Sequence, residues 1–454
     1  MAEVRRRGGP RFRGLTLTTA VDVPYARPLS GVRTGGARAY GWMGVAAAAG
    51  IALLGLISGI TMLMLAGLAV AGLLAVLLAP ELALALFLVA GGIKKNPALS
   101  GFPVDLTFAA ALLVLIAIGA KLLQERDLPR LPPATALFVA LAALIAVSVM
   151  WTRNINVGMS KATTFQTLTA IAFFAPFFLL RTRSELIRAM LGVVAAGMFV
   201  ALTAVSTGDP SQPLVAAGGN EIELGLYSAF GLVAAVGYLM LLGPSLLRLF
   251  WIVPGVVLGT TILGAGSRGA VAGSALALVF VAVSRAISSR RGRRIVLVAL
   301  AAGIGVFVVA PNVAGLAAKK YENQLFSTNT QRVLGDRGYL YDTASTLALN
   351  HPLGVGAGGF DPDSDTLYPH NILLELASEE GLLGVALMTA LIVAAWRARR
   401  RVQKGALSPE ATLAGALLVL TLVEAFVSFD LNENRLMWFS LGLALAIPRL
   451  RPDL

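Results

Sequence analysis

The chain has 454 residues, of which 57% are hydrophobic and only 13% charged, with a formal net charge of +13 and no cysteine. A soluble globular chain carries roughly a quarter charged residues, so this one has too little charge to cover a water-facing surface and most of its exterior must face lipid. The missing cysteines exclude a disulfide framework and thiolate metal sites. The positive charge falls in short clusters between apolar runs, which reads as topogenic charge and excludes a nucleic-acid-binding surface.

In chain order, residues 1–40 hold eight arginines among Gly, Pro and Thr. No apolar stretch adjoins these charges, so the segment reads as a disordered basic cytoplasmic tail and not as a cleaved signal peptide. A transmembrane helical region, 41–311, follows. Its apolar runs lie near 42–59, 61–79, 81–93, 104–123, 134–151, 161–180, 185–205, 222–242, 247–265, 269–288 and 294–311. A bilayer core of ~30 Å takes about 20 apolar residues per helical crossing, and these runs are too long for barrel strands. Residues 312–370 form one long loop. Three more runs, near 371–395, 410–429 and 435–448, make a C-terminal transmembrane segment, 371–448, and a short tail, 449–454, ends the chain. The class is all-α integral membrane, with about 12–14 spans.

Arginine placement gives an orientation. With the N-terminus inside and strict alternation, the inner loops collect Arg126 and Arg130, Arg181 to Arg188, Arg248, Arg285 to Arg294, and Arg397 to Lys404. Both termini are then cytoplasmic and the long loop is extracytoplasmic. A few basic residues fall on the outer side against this rule: Lys94, Lys95, Arg153, Lys161, Arg268, Lys319, Lys320, Arg332, Arg337 and Arg435. An anionic ligand is one reason for such placement. A snorkelling or solvated side chain is the other.

The long loop exceeds what a plain connection needs and is rich in aromatics. Arg337–Asn350 reads as a short helix ended by Pro352, and Gly354, Gly356, Gly358 and Gly359 as an irregular turn. Both histidines of the chain lie here. His370 stands where the chain re-enters the membrane, and an imidazole there can take a proton from a hydroxyl. His351, in Asn-His-Pro, reads as part of a turn. Arg268, in Gly-Ser-Arg-Gly, projects a guanidinium suited to phosphate oxygens from a tight hairpin between spans. Asp361, Asp363 and Asp365 hint at a calcium loop, but Thr366 and Ile372 stand where that loop needs Gly and Glu, so a solvated acidic turn is the better reading. Glu379 and Glu380 read as packing residues. Glu424 is the one charge near a span centre.

Taken in order, these features resemble the O-antigen ligase and O-antigen polymerase-like superfamily of membrane glycosyltransferases. Four matches over roughly residues 205–400 carry the resemblance. They are Ser267-Arg268-Gly269 before a span, Arg337-Gly-Tyr-Leu-Tyr341 leading into His351-Pro352-Leu-Gly-Val-Gly356, His370-Asn371 followed after nine residues by Gly381 and then Gly384, and Asn220 opening a span. The chain departs from the family in its longer N-terminal tail and in Tyr341, where tryptophan is commoner. The resemblance implies a glycosyltransferase C-like bundle in the bacterial cytoplasmic membrane. It implies a donor glycan on undecaprenyl pyrophosphate and an acceptor hydroxyl on a glycan or glycolipid, with other envelope-glycan assembly proteins as possible partners and no cofactor. His370 would be the general base. Arg268 and Arg337 would hold the pyrophosphate, with Arg153, Lys161, Arg435 and Asn220 as further donor-binding candidates. Transfer would invert the anomeric centre without a metal. Two other classes are weighed against this one. A transporter or flippase of lipid-linked glycans would place its polar groups at the midplane in broken helices, and a non-catalytic scaffold would make His370 dispensable.

Overall fold

The computed structural model describes residues 61–94, 105–204, 213–216, 219–242, 247–286, 337–360 and 368–451, together with positions 43, 47, 51 and 54. Every regular element among them is helical, apart from an isolated bridge between Thr182 and Arg451. We number the helices in chain order: α1 (Thr61–Leu78), α2 (Glu81–Ile93), α3 (Leu106–Glu125), α4 (Thr135–Ser148), α5 (Ile155–Leu179), α6 (Arg183–Leu202), α7 (Glu221–Leu242), α8 (Arg248–Ala265), α9 (Arg268–Ala286), α10 (Arg337–Asn350), α11 (Ile372–Glu379), α12 (Gly381–Arg401), α13 (Ser408–Ala425) and α14 (Arg435–Ala446). Seven of them, α3, α5 to α8, α12 and α13, are long and apolar enough to cross a membrane, and α2, α4 and α9 are shorter apolar helices. The protein is an all-α, multi-pass membrane protein. The expected run near 294–311, and most of that near 42–59, lie outside the described residues, so the count of 12–14 spans stays an expectation.

Helix α3 shows how the sequence builds a lipid-facing element. Asp105 accepts from the Thr107 and Phe108 amides at 2.7 and 3.2 Å and so caps its first turn. Ala110, Val114, Ala117 and Lys121 recur at helical spacing on the buried face. Leu112, Leu115 and Leu123 are exposed along the rest, a cost in water but none in lipid. Two of the seven long helices are covered over most of their surface, as is the shorter α14. The crossing windows of α7 and α13 are 83% and 72% buried, against 28% for α8 and α12, so α7 and α13 form the centre. Trp438 on α14 joins Phe138, Phe165 and Phe173 in a buried aromatic stack. On the side expected to face the cytoplasm, arginines meet buried acids. Arg183 pairs with Glu410 at 2.7 Å and Arg188 with Glu81.

Three sequence readings need correction. The run 371–395 is not one helix, because it breaks at Glu380–Gly381 into α11 and α12. Gly381 has φ +67°, and a Cβ there would collide with the Pro352 carbonyl. Gly354, at φ +78°, meets the Glu379 carbonyl in the same way. The glycine turn docks on this break through Val355 to Ser378 and Gly356 to Glu379, both 2.9 Å. Second, α5 begins at Ile155, capped by Asn154, and not near residue 161. Lys161 therefore lies about 9 Å inside the helix, not at its mouth. Third, Glu424 sits in the last turn of α13, away from the span centre.

Candidate active site

Three segments far apart in sequence converge on residues 424–428, where α13 ends. The first is the Ser-Arg-Gly turn. Gly266 closes α8 at φ +64° and Arg268 opens α9, and Gly269 lies against Glu424 and Val427. The second is α10, which ends at Asn350 as read from the sequence. Its first described residue, Arg337, donates from Nη1 to the Val427 carbonyl. The third is the entry to α11. Asn371 caps that helix by accepting from the Leu373 and Leu374 amides, and its own amide donates to the Phe426 carbonyl at 3.0 Å.

His370 precedes this cap and is half-buried. Its φ is +54°, a conformation that costs a residue other than glycine of order 1–3 kcal/mol. Surrounding contacts impose it. The next residue is fixed by the Asn371 cap, and the Tyr368 ring packs edge-on at 4.6 Å between centroids. The Tyr368 hydroxyl donates to Glu433 at 3.3 Å. Burial, and then the Glu433 charge, push that hydroxyl's pKa up, so it stays a donor. Burial and the nearby Arg337 charge lower His370 to about 4. The imidazole is thus neutral at pH 7, with a ring nitrogen free to accept a proton. Its buried Nδ1 has no hydrogen-bond partner among the described residues.

The remaining candidates lie elsewhere. Arg153 is exposed, with Nη2 3.3 Å from Nε2 of His351, beside the glycine turn. Asn220 caps α7 by accepting from the Glu223 amide at 2.8 Å. Arg435 opens α14, with its guanidinium 5.8 Å from the Phe87 ring centre. Asp361, Asp363 and Asp365 lie outside the described residues, as do Lys319, Lys320 and Arg332.

Lys161 departs most from its reading. Its ammonium is buried, 2.5 Å from Glu375 and 2.5 Å from Glu379. It is held by carboxylates inside the protein and not set out toward an external anion. Glu380 joins the cluster, accepting from Ser148 at 3.3 Å, while Ser148 accepts from the Ala357 amide at 3.0 Å. Sequence reasoning missed this acidic network behind the α11 entry. A signal for it existed, since Glu375 and Glu379 stand four apart on one face of an otherwise apolar helix.

No curated protein matches the chain. The family model of the O-antigen ligases matches residues 253–389. Asn220, Arg153, Lys161 and Arg435 fall outside that stretch. The Ser-Arg-Gly turn, α10, the glycine turn and His370-Asn371 fall inside it, so residues 253–389 of this multi-pass membrane protein resemble the O-antigen ligase family domain.

Proposed function

We propose that this protein is a membrane glycosyltransferase. It moves a glycan from undecaprenyl pyrophosphate to a hydroxyl of an acceptor glycan or glycolipid at the outer face of the bacterial cytoplasmic membrane, with both chain termini in the cytoplasm. The family domain supports glycan transfer in a membrane. One observation carries the finer reading: Arg337, the Arg268 turn and the His370-Asn371 entry converge on the end of α13.

In this reading the acceptor oxygen bonds to the anomeric carbon as the bond from that carbon to the phosphate oxygen breaks. The acceptor proton goes to His370, and the polyprenyl pyrophosphate leaves as an anion. Attack opposite the leaving group inverts the anomeric centre. Arg268 and Arg337 hold the pyrophosphate, because preplaced guanidinium forks stabilise charge developing on a leaving group. Their two charges take the place of a divalent ion. Lys161 is a positioning residue, tying α5 to α11 behind His370.

The test uses purified full-length variants with a lipid pyrophosphate-linked glycan and an acceptor, with donor binding measured on the same samples. His370→Ala should lower turnover by ~10²–10⁴ while donor binding persists. Arg268→Ala and Arg337→Ala should weaken both. Turnover of His370→Ala near the wild-type rate would remove the general base and restore the transporter and scaffold readings.

A further inference from the structure

An open recess of ≈650 Å³ lies between the start of α3 and the start of α14. Its wall includes Lys94, Asp105, Thr107, Phe108, Glu433 and Arg435. Two residues of this wall each carry a buried polar atom with no partner among the described residues, the Thr107 hydroxyl and the Arg435 Nη1. Thr107 is only 2% exposed. A buried polar group without a partner calls for an explanation, and a ligand that fills the recess supplies one for both.

The charge pattern narrows the ligand. Lys94 pairs with Asp105 at 3.1 Å. Although burial works against it, Lys94 and the Phe108 and Thr107 amides hold the Asp105 carboxyl below its usual range, so it is purely an acceptor. Glu433 sets a second carboxylate near Arg435. Among the described residues of the wall, two cations and two carboxylates sum to zero, and a pyrophosphate would face both acids. Sugar hydroxyls, which donate and accept at once, suit such a wall. Phe108, 64% exposed, offers an aromatic surface for the apolar face of a pyranose. The recess is also connected to the proposed chemistry, since Glu433 on its wall accepts from Tyr368, whose ring packs on His370.

We propose that this recess binds the acceptor, seating the sugar hydroxyls of an uncharged glycan terminus between Asp105, Thr107, Glu433 and Arg435. The proposal rests on the transferase reading above and moves Arg435 from the donor to the acceptor. The donor then lies at Arg268 and Arg337, and His370 is linked to the recess through Tyr368 and Glu433.

The test is photocrosslinking in intact cells, which captures the acceptor whatever its identity. p-Benzoylphenylalanine replaces Phe108, and Leu123, at the far end of α3 and 80% exposed, serves as control. Adducts are probed for carbohydrate by periodate and hydrazide, and for polyprenyl pyrophosphate by mass spectrometry. Expected is a glycan adduct without polyprenyl pyrophosphate at position 108 and none at 123. Adding Thr107→Val should cut its yield roughly 2- to 10-fold, the worth of one hydrogen bond, without lowering thermal stability, because the buried hydroxyl has no partner among the described residues to lose. A glycan carrying polyprenyl pyrophosphate would make the recess a donor site and overturn the proposal. Phospholipid adducts alone, or no adduct, would also overturn it. His370→Ala transfer assays in the same cells judge the transferase reading separately. An unreactive recess beside an inactive His370→Ala sinks this inference only, and full activity of His370→Ala sinks the reading beneath it.

Discussion

Lys161→Met distinguishes a ligand-binding lysine from a structural one. The ammonium is 7% exposed and lies between two carboxylates that are 0% exposed. Removing one partner of a buried ion pair typically costs about 3–5 kcal/mol, because the other is left charged and unpaired. The variant can escape by protonating a glutamate. An ordinary glutamate titrates near 4.3, so taking up a proton costs about 3.7 kcal/mol at pH 7 and about 1 kcal/mol at pH 5. The loss should therefore shrink as pH falls, by about 1.4 kcal/mol per pH unit for each extra proton the folded variant holds. The assay is thermal unfolding in detergent at pH 5 and pH 7, beside donor binding. Expected is a large drop in melting temperature at pH 7 and a smaller one at pH 5, and adding Glu375→Gln and Glu379→Gln should recover part of the loss. A wild-type melting curve with donor affinity down tenfold or more would refute the argument and return Lys161 to the donor site.

The acid limb of kcat/KM should lie near pH 4, since His370 must be neutral to act and is held at about 4; a midpoint near the ordinary histidine value of 6.5 would contradict this. Gly381→Ala should destabilise by roughly 1–3 kcal/mol, because it strains a left-handed residue against the Pro352 carbonyl. Gly405→Ala, with only an ordinary contact at 3.6 Å, should melt like wild type, and equal melting of the two variants would undo the argument. Chelation with EDTA should leave transfer largely intact; loss restored by a divalent ion would point instead to Asp361, Asp363 and Asp365. The chain has no cysteine, so single cysteines at Ser327 and Ser289 report topology directly. An impermeant reagent should label the first in intact cells and not the second, and labelling of Ser289 would reverse the orientation.

Helical class was legible because long apolar runs leave few alternatives, and the end of α10 at Asn350 was legible because a helix-favouring stretch stops before Pro352. The break at Gly381 was not. The apolar run continues across it, and the cause is a turn some thirty residues earlier in sequence that docks there. Hydropathy cannot see a contact of that range. Lys161 was misplaced for a local reason. The first turns of α5, Ile155–Thr164, are polar, so hydropathy started the helix late, although Asn154 is a recognisable cap. The convergence of Arg337 and Asn371 on the backbone of Val427 and Phe426 left no trace in sequence, because carbonyl oxygens carry no side-chain signature.

That convergence bears on how the proposed reaction is ordered. A base held at about 4 is a weak acceptor for a hydroxyl proton, so His370 alone does little with an acceptor, or with water. Part of its depression comes from the Arg337 charge. A pyrophosphate bound at Arg337 cancels that charge and raises the basicity of His370. The acid limb of kcat, which reports the donor-bound enzyme, should then lie above that of kcat/KM, which reports the free one. The same arginine would hold the leaving group and gate the base, so the acceptor is deprotonated only when a donor is in place to receive it.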